Sequence, residues 1–468
     1  MGNLKILLHV VIVCYLVQER TAWEAGQFMG ASISHTFING TNGSEIQLDV
    51  ISGWVLGQGP CGINCSRESI NSKTTNTKEE ILHKQGDKYF FGKWTVEYGM
   101  THHAAAALEI SDYVHDNMEE RVIAMNEKAG WEQDWMTLRY HIIPNSSYID
   151  IQFDGSAWRY LSLQGGNALW HLQVKFTPVI RNDTKKPNNS PQAYSKPIYR
   201  LLLGKDNYIR IATLDLDGDF VKCFMAAFGE ADLIATHPLR NVTVTPECVI
   251  TVPSQRTFGY VNGSYGAIGI TVRDYTRQDI MYGNHIAYKM STSLSAIGVQ
   301  FMVQFLDTIK EPKFIYPTPE ANHRFNIYSG TTWKIDVYAE PIYPALIKHI
   351  TCLGRQREAV TISNVKDIHV PNHENVKMAT MTWTPLNTDV GEHILCVDVE
   401  DSLGAHITSI WVNTNFVDWA MNGTELINNG TSIVKIDISI RHSTGDSPTL
   451  CFYALDSTGG TNTFEVRD

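Results

Sequence analysis

Apolar and polar residues alternate in short runs along most of this chain. Tyr148–Phe153, Tyr208–Leu214, Ile268–Val272, Trp333–Tyr338 and Ile433–Ile440 are β-branched or aromatic at close to period two, the spacing of a strand with one face buried. Gly, Pro, Asn and Asp interrupt the runs at short intervals, which is the punctuation of antiparallel sandwiches. Helical periodicity is scarce. Its best stretch is His102–Met125, with an alanine tract at Ala104–Ala107, but Tyr113 and Val114 break the apolar face. The pattern predicts an all-β, multi-domain protein whose N-terminal domain is sandwich-like.

The breaks suggest where domains end. Residues 1–22 have a secretory leader's layout: Lys5, an apolar run Ile6–Val17, then Gln18, Glu19 and Arg20. The run is shorter than the roughly 20 residues a bilayer span needs. Residues 23–181 form an N-terminal β domain, and the polar, proline-bearing stretch 182–197 reads as a linker. Units follow at 198–309 and 310–415, and 416–468 is a short remainder.

The later units repeat one another. Gly204-Lys-Asp-Asn-Tyr-Ile-Arg-Ile leads to Cys223, Gly330-Thr-Thr-Trp-Lys-Ile-Asp-Val leads to Cys352, and Gly430-Thr-Ser-Ile-Val-Lys-Ile-Asp leads to Cys451. Each reads as a turn glycine, a strand, a hairpin and a cysteine on the returning strand. The unit ends match too: Gly266-Ala-Ile-Gly-Ile-Thr-Val-Arg-Asp274 and Gly391-Glu-His-Ile-Leu-Cys-Val-Asp-Val-Glu-Asp401 are both alternating strands closing on aspartate. This register pairs Cys223 with Cys248 and Cys352 with Cys396. It leaves Cys451 at the first-cysteine position of an incomplete third repeat, as in a fragment of a longer repeat protein. Cys61 and Cys65 would close a small loop as a structural disulfide; a zinc site would need two further ligands.

Composition narrows the function classes. The chain has 468 residues, 43% of them hydrophobic, and a formal charge of −11. It can bury real cores, and its sign disfavours nucleic acid and anionic membrane surfaces. No apolar stretch is long enough for a membrane span. Asn-x-Ser/Thr sequons stand at Asn39, Asn42, Asn64, Asn145, Asn182, Asn188, Asn241, Asn262, Asn422 and Asn429, which together with the cysteines predicts a secreted, extracellular glycoprotein.

Several segments resemble a widespread, largely uncharacterised family of secreted animal proteins. They include Gly53-Trp-Val-Leu-Gly-Gln-Gly-Pro-Cys-Gly-Ile-Asn-Cys65, Gly155-Ser-Ala-Trp-Arg-Tyr-Leu-Ser-Leu, Trp170-His-Leu-Gln and Asn189-Ser-Pro. The likeness continues through Asp215-x-Asp-Gly-Asp-x-Val-x-Cys223, Gln300-Phe-Met-Val303, Trp383-Thr-Pro385 and Asp389-Val-Gly-Glu-His-Ile-Leu-Cys396. It implies tandem immunoglobulin-like or cadherin-like repeats at 198–309 and 310–415 behind a distinct N-terminal β domain, and it carries no established activity.

The most pointed chemistry is Asp215-Leu-Asp217-Gly218-Asp219. Carboxylates two apart around a turn glycine can converge on Ca²⁺, the one candidate cofactor, with Asp274 or Glu230 completing the shell. The alternative is an acidic turn with solvated side chains. No catalytic motif stands out. His102, His103 and His115 with Asp112 and Glu109 form only a loose constellation, and Glu119 and Glu120 read as a solvated face. The tryptophans Trp54, Trp94, Trp131, Trp135, Trp158 and Trp170 are core residues or a lectin-like stacking surface. The expectation is a non-enzymatic structural or adhesion glycoprotein whose partners are extracellular proteins or glycans, with a carbohydrate-binding protein of matrix or host defence as the alternative.

Overall fold

The computed structural model describes residues 27–38, 45–70, 72, 84–85, 88–89, 93–99, 107–109, 119–142, 146–166, 168–321, 323–353, 359–386, 389, 391–416, 421–428, 431–438, 450–455 and 461–466. The proposed leader lies outside them. The chain divides into two compact units, Met1–Asp418 and Trp419–Asp468. The second contains the antiparallel hairpins Met421–Asn428 with Thr431–Ile438 and Leu450–Leu455 with Thr461–Val466.

The regular structure of the first unit is nearly all β, as alternation predicts, with short helical turns such as Phe228–Ala231 and Leu233–Thr236. Its largest sheet has twelve strands. One arm runs Ala107–Glu109, Lys93–Gly99, Tyr148–Ser156, Leu169–Phe176; the other runs Phe28–Phe37, Glu45–Val55, Trp131–His141, Glu119–Asn126. The stretch expected to be helical, His102–Met125, therefore supplies two strands where it is described. There Ala107–Glu109 pairs with Thr95–Glu97 and Glu119–Asn126 with Trp131–His141, so cross-strand pairing rather than a helix takes the described residues.

The two arms meet on Ser293–Leu306. Along one edge this strand pairs in turn with Val174–Phe176, Gly30–Ser32 and, in parallel, Ile198–Leu202. Along the other it carries Tyr265–Tyr275, which in turn carries Phe220–Met225. The N-terminal sandwich is thus closed by a strand from the unit expected to be a separate repeat. Residues 23–181 and 198–309 share one core, so the boundary drawn between them is corrected. The apposition is close: a Cβ on Gly30, at φ +119°, would lie 2.2 Å from the Gln300 carbonyl oxygen, room that only glycine provides.

Residues 182–197 are not a free linker. Asn188, Ser190, Ala193, Tyr194 and Ser195 are buried. Gln192–Tyr194 pairs with Ala212–Leu214, and Ser32 Oγ donates to the Ala193 carbonyl at 3.0 Å. The segment is a strap across the sandwich, and its polar composition satisfies buried backbone groups rather than solvating a tether.

Lys313–Phe416 forms a two-layer sandwich. One layer holds Lys313–Phe314, Trp333–Glu340, Lys377–Trp383 and Val360–Ile362; the other holds Arg324–Tyr328, His406–Phe416, Gly391–Asp401 and Ile347–Leu353. Its core includes Val337, Met381, Trp383, Leu395, Val397 and Trp411. The second layer also packs on the N-terminal body. Arg67 pairs with Glu400, the Trp131 and His406 rings lie 6.4 Å apart, and Leu353 and Cys396 belong to the large N-terminal core.

That packing explains a failed expectation. Among the described residues the disulfides are Cys61–Cys65 and Cys223–Cys248; Cys352 and Cys396 are not bridged to each other. They sit on neighbouring strands one register step apart, Cys352 opposite Val397 and Leu353 opposite Cys396. Opposed residues share a face and successive residues alternate. Cys352 therefore joins the sandwich core and Cys396 the other side, beside Tyr194. Burial raises the Cys396 pKa well above that of an ordinary thiol.

The N-terminal arms face each other across a dense aromatic core. Phe28 stacks on Trp170 at 4.4 Å and packs edge-on against Trp158 at 4.7 Å. The Tyr98 and Tyr140 hydroxyls meet at 2.5 Å. His35, fully buried, stacks on Phe176 at 3.8 Å, with Nε2 3.1 Å from the Asn188 carbonyl. Burial lowers its pKa to about 3 despite that hydrogen bond. A depressed folded pKa means the unfolded chain binds the extra proton between pH 6.5 and 3, so stability is lost as pH falls through that window. Replacing His35 with Gln should remove this slope. The stability difference between wild type and H35Q, from denaturant melts, should shift by about 2 kcal/mol against wild type from pH 7 to pH 5; a pH-independent difference would contradict it.

Candidate functional site

The acidic motif lies between Ala212–Leu214 and Phe220–Met225, where the chain reverses. Gly218, at φ +78°, permits the tight turn. Asp215 Oδ1 accepts the amides of Asp217 and Asp219 at 2.9 and 3.0 Å. The three aspartates do converge, offering carboxylate oxygens within 4.8 Å of one another. They are not solvated: Asp215 and Asp219 are 5% and 8% exposed.

A cation already stands among them. Arg181, 2% exposed, donates through Nη2 to Asp219 Oδ1 at 3.1 Å, and its Nη1 pairs with Asp219 Oδ2. It also holds Asp183 through Nη2 at 2.8 Å and Nε at 3.1 Å. Nη1 donates to Asn188 Oδ1 at 2.7 Å, and Asn188 Nδ2 donates to Asp274 Oδ2 at 2.6 Å. Ser295 closes the chain, giving its backbone and hydroxyl hydrogens to Asp274 Oδ1 at 2.6 and 2.9 Å. Asp217 is claimed by Asn189, whose amide and side chain donate at 2.7 and 2.9 Å. Glu230 lies elsewhere, paired with Arg273 at 2.8 Å.

The electrostatics follow from enclosure. Burial pushes Asp217 up to about 6 and Asp274 up to about 7, the latter against the Asn188 hydrogen bond. Burial and the neighbouring Asp274 raise Asp215 well above the carboxylate range. Burial opposes the charge on Arg181, but its hydrogen bonds to Asp219 and Asp183 outweigh that and raise its pKa. The carboxylates fit a hard cation by type. The guanidinium nonetheless takes the bonds such an ion would make to Asp219, and only Asp215 Oδ2 is a buried oxygen without a partner. The arrangement ties strap, turn, Asp274 strand and Ser293–Leu306 together.

Asn188 illustrates a correction. Its sequon predicted a glycan, yet the side chain is fully buried and spends both its amide groups inside this network. Asn64, Asn182, Asn241 and Asn262 are exposed. Asn39, Asn42, Asn145 and Asn429 lie outside the described residues, as does the side chain of Asn422. So do His102, His103, His115 and Asp112, and the side chain of Glu109.

Sequence reasoning missed a second set of acids. Glu120 was expected on a solvated face, but alternation within Glu119–Asn126 turns it inward, 5% exposed. It neighbours Asp134, fully buried with neither carboxyl oxygen partnered, whose pKa is raised well above the usual range by burial and then by Glu132 and Glu120. Glu132, raised to about 6 by burial, accepts the Gly57 amide at 2.9 Å and the Cys61 amide at 3.3 Å. It holds the loop that the Cys61–Cys65 disulfide closes. Of the six N-terminal tryptophans, Trp54, Trp94, Trp131, Trp158 and Trp170 are core residues. Trp135 is half-buried and lines a cleft of about 330 Å³ with Asp49, Tyr194, Glu392 and His393.

No family model matches the chain, and no curated protein matches it. Solved structures similar to parts of it include a GspB Siglec domain, at 16% identity and a TM-score of 0.19 over 26% of this chain and 66% of that one. Titin Ig tandem domains A164-A165 align at 14% and 0.17 over 49% and 98%. Mouse cadherin-23 EC22-24 aligns at 12% and 0.17 over 69% and 93%.

The Arg181 network makes a direct prediction. Arg181→Met should destabilise the protein by about 3–5 kcal/mol, because the aspartates lose their buried partner. Wild-type melting temperature should be equal in millimolar Ca²⁺ and in chelator. A rise of several degrees with Ca²⁺ would show that a metal, not the guanidinium, is the operative cation.

Proposed function

We propose that this protein is an extracellular, non-enzymatic structural or adhesive glycoprotein: a rigid β scaffold that presents loops and clefts to other macromolecules. The observation that carries this reading is where the perturbed charges lie. Asp134, Asp274 and His35 are fully enclosed and Asp215 nearly so. Raised carboxyl groups that open on a cleft indicate acid–base chemistry; these face the interior, where they fix strands to one another. Two disulfides suit an oxidising compartment, and four exposed sequons suit glycan attachment.

A carbohydrate-binding role is the second reading, favoured by one feature: of the six N-terminal tryptophans Trp135 is the one not sealed in the core, and it lines a cleft whose apolar walls also carry polar side chains.

Beads coated with the secreted, glycosylated chain test the proposal. Saturable attachment to animal cells or matrix, competed by soluble protein, is the expected result. Absence of attachment, or turnover of peptide or glycan substrates by the purified chain, would overturn it.

A further inference from the structure

The cleft at Trp135 is assembled from three parts of the chain. Its floor is the outer face of the N-terminal sheet, where Ser32, Ile51 and Trp135 lie side by side, as do Ser34 and Asp49 in the next row. One wall is the strap Gln192–Tyr194. The other is formed by Asp389 and by Glu392, His393, Ile394 and Cys396 of Gly391–Asp401, a strand in the second layer of the Lys313–Phe416 sandwich. The cleft exists only because that sandwich is docked on the N-terminal body.

Its chemistry is specific. Trp135 Nε1 donates to Asp49 Oδ1 at 3.0 Å, and Asp49 also accepts from Thr137 at 3.3 Å and from Gln47 at 3.2 Å. The indole N–H is therefore already used, and what Trp135 can offer a ligand is its ring carbon surface. Around it stand short hydroxyls, an amide, an imidazole and carboxylates: Ser34, Gln192, His393, Glu392 and Asp389. Glu392 is paired with Arg324 at 2.5 Å, which holds it in place.

We infer that this cleft is a binding site for the neutral terminal sugar of a glycan. The inference rests on the second reading above and names its site. A pyranose has a C–H face that packs on an aromatic ring and a rim of hydroxyls that both donate and accept. The cleft supplies one aromatic surface and a mixed donor and acceptor rim, the combination expected of a small polar ligand's pocket. A volume of about 330 Å³ is near the lower end of the ~300–1,000 Å³ range of such pockets, suited to one or two sugar units. Asp49 and Asp389 give the site a negative sign, so sialylated and sulfated ends are repelled. A quaternary ammonium group would want several aromatic faces; the other aromatic residue here, Tyr194, is buried and donates its hydroxyl to Gln133 at 3.0 Å.

The test is a glycan array probed with the full secreted chain, carrying galactose-, mannose-, glucose- and N-acetylhexosamine-terminated oligosaccharides beside sialylated and sulfated ones. Binding to a subset of the neutral ends is expected, followed by titration of the best oligosaccharide. Trp135→Ala should weaken affinity at least tenfold, and Trp135→Phe should retain part of it. Glu392→Gln, on the wall opposite the strap, should weaken it severalfold with an unchanged melting temperature, which guards against W135A simply failing to fold. Binding confined to anionic glycans, no binding to any glycan, or affinity unmoved by both W135A and E392Q would overturn the inference. If coated beads still attach to cells in any of those cases, the cleft proposal falls alone and the adhesive reading stands.

Discussion

The pairing of Ser293–Leu306 along both its edges is the constraint on which the first unit depends. On one side it receives, in succession, one strand from each arm of the N-terminal sandwich and the parallel strand Ile198–Leu202; on the other it carries Tyr265–Tyr275 for most of its length. The buried row Ile297, Val299, Phe301, Val303 and Phe305 belongs to a core reaching from Phe28 to Cys396. Remove this strand and both arms present unpaired edges, which carry unsatisfied donors and acceptors.

The Arg181 network secures the same junction from the polar side. Ser295, on that strand, donates to Asp274 on its neighbour, and Asn188 links Asp274 to Arg181 and so to the acidic turn. A buried ion network of this kind contributes little net stability over a well-packed apolar one, but it fails sharply when one member is lost. Its value here is positional: four chain segments distant in sequence meet in one arrangement of donors and acceptors. The Trp135 cleft inherits that rigidity, since the strap forming one of its walls begins at this network.

Much of the architecture was legible in the sequence. Alternating runs located strands, the repeat register gave Cys223–Cys248, and the close spacing of Cys61 and Cys65 gave their loop. The convergence of Asp215, Asp217 and Asp219 followed from their spacing around Gly218. What the sequence concealed were long-range partners. Nothing local distinguishes Arg181, at the edge of a polar stretch, from a surface arginine, so the aspartates looked like ligands awaiting a metal. Polarity made 182–197 look like a linker, although those groups are spent on buried hydrogen bonds. The Cys352–Cys396 expectation failed by a single register step, a quantity that hydrophobic pattern alone does not specify. Asn188 was misplaced because its burial depends on partners far along the chain, Glu120 because the strand's phase, which decides the face it presents, depends on the pairing around it.

Native-state amide hydrogen exchange tests the central claim most directly. If Ser293–Leu306 fuses the N-terminal sandwich to the 198–309 segment, the slowest amides of Phe28–Phe37, Leu169–Phe176, Tyr265–Tyr275 and Ser293–Leu306 should share one opening free energy and respond alike to denaturant. Two families of opening energies, one for residues 28–176 and another for 198–306, would mean that two independent domains merely touch, and would contradict the account.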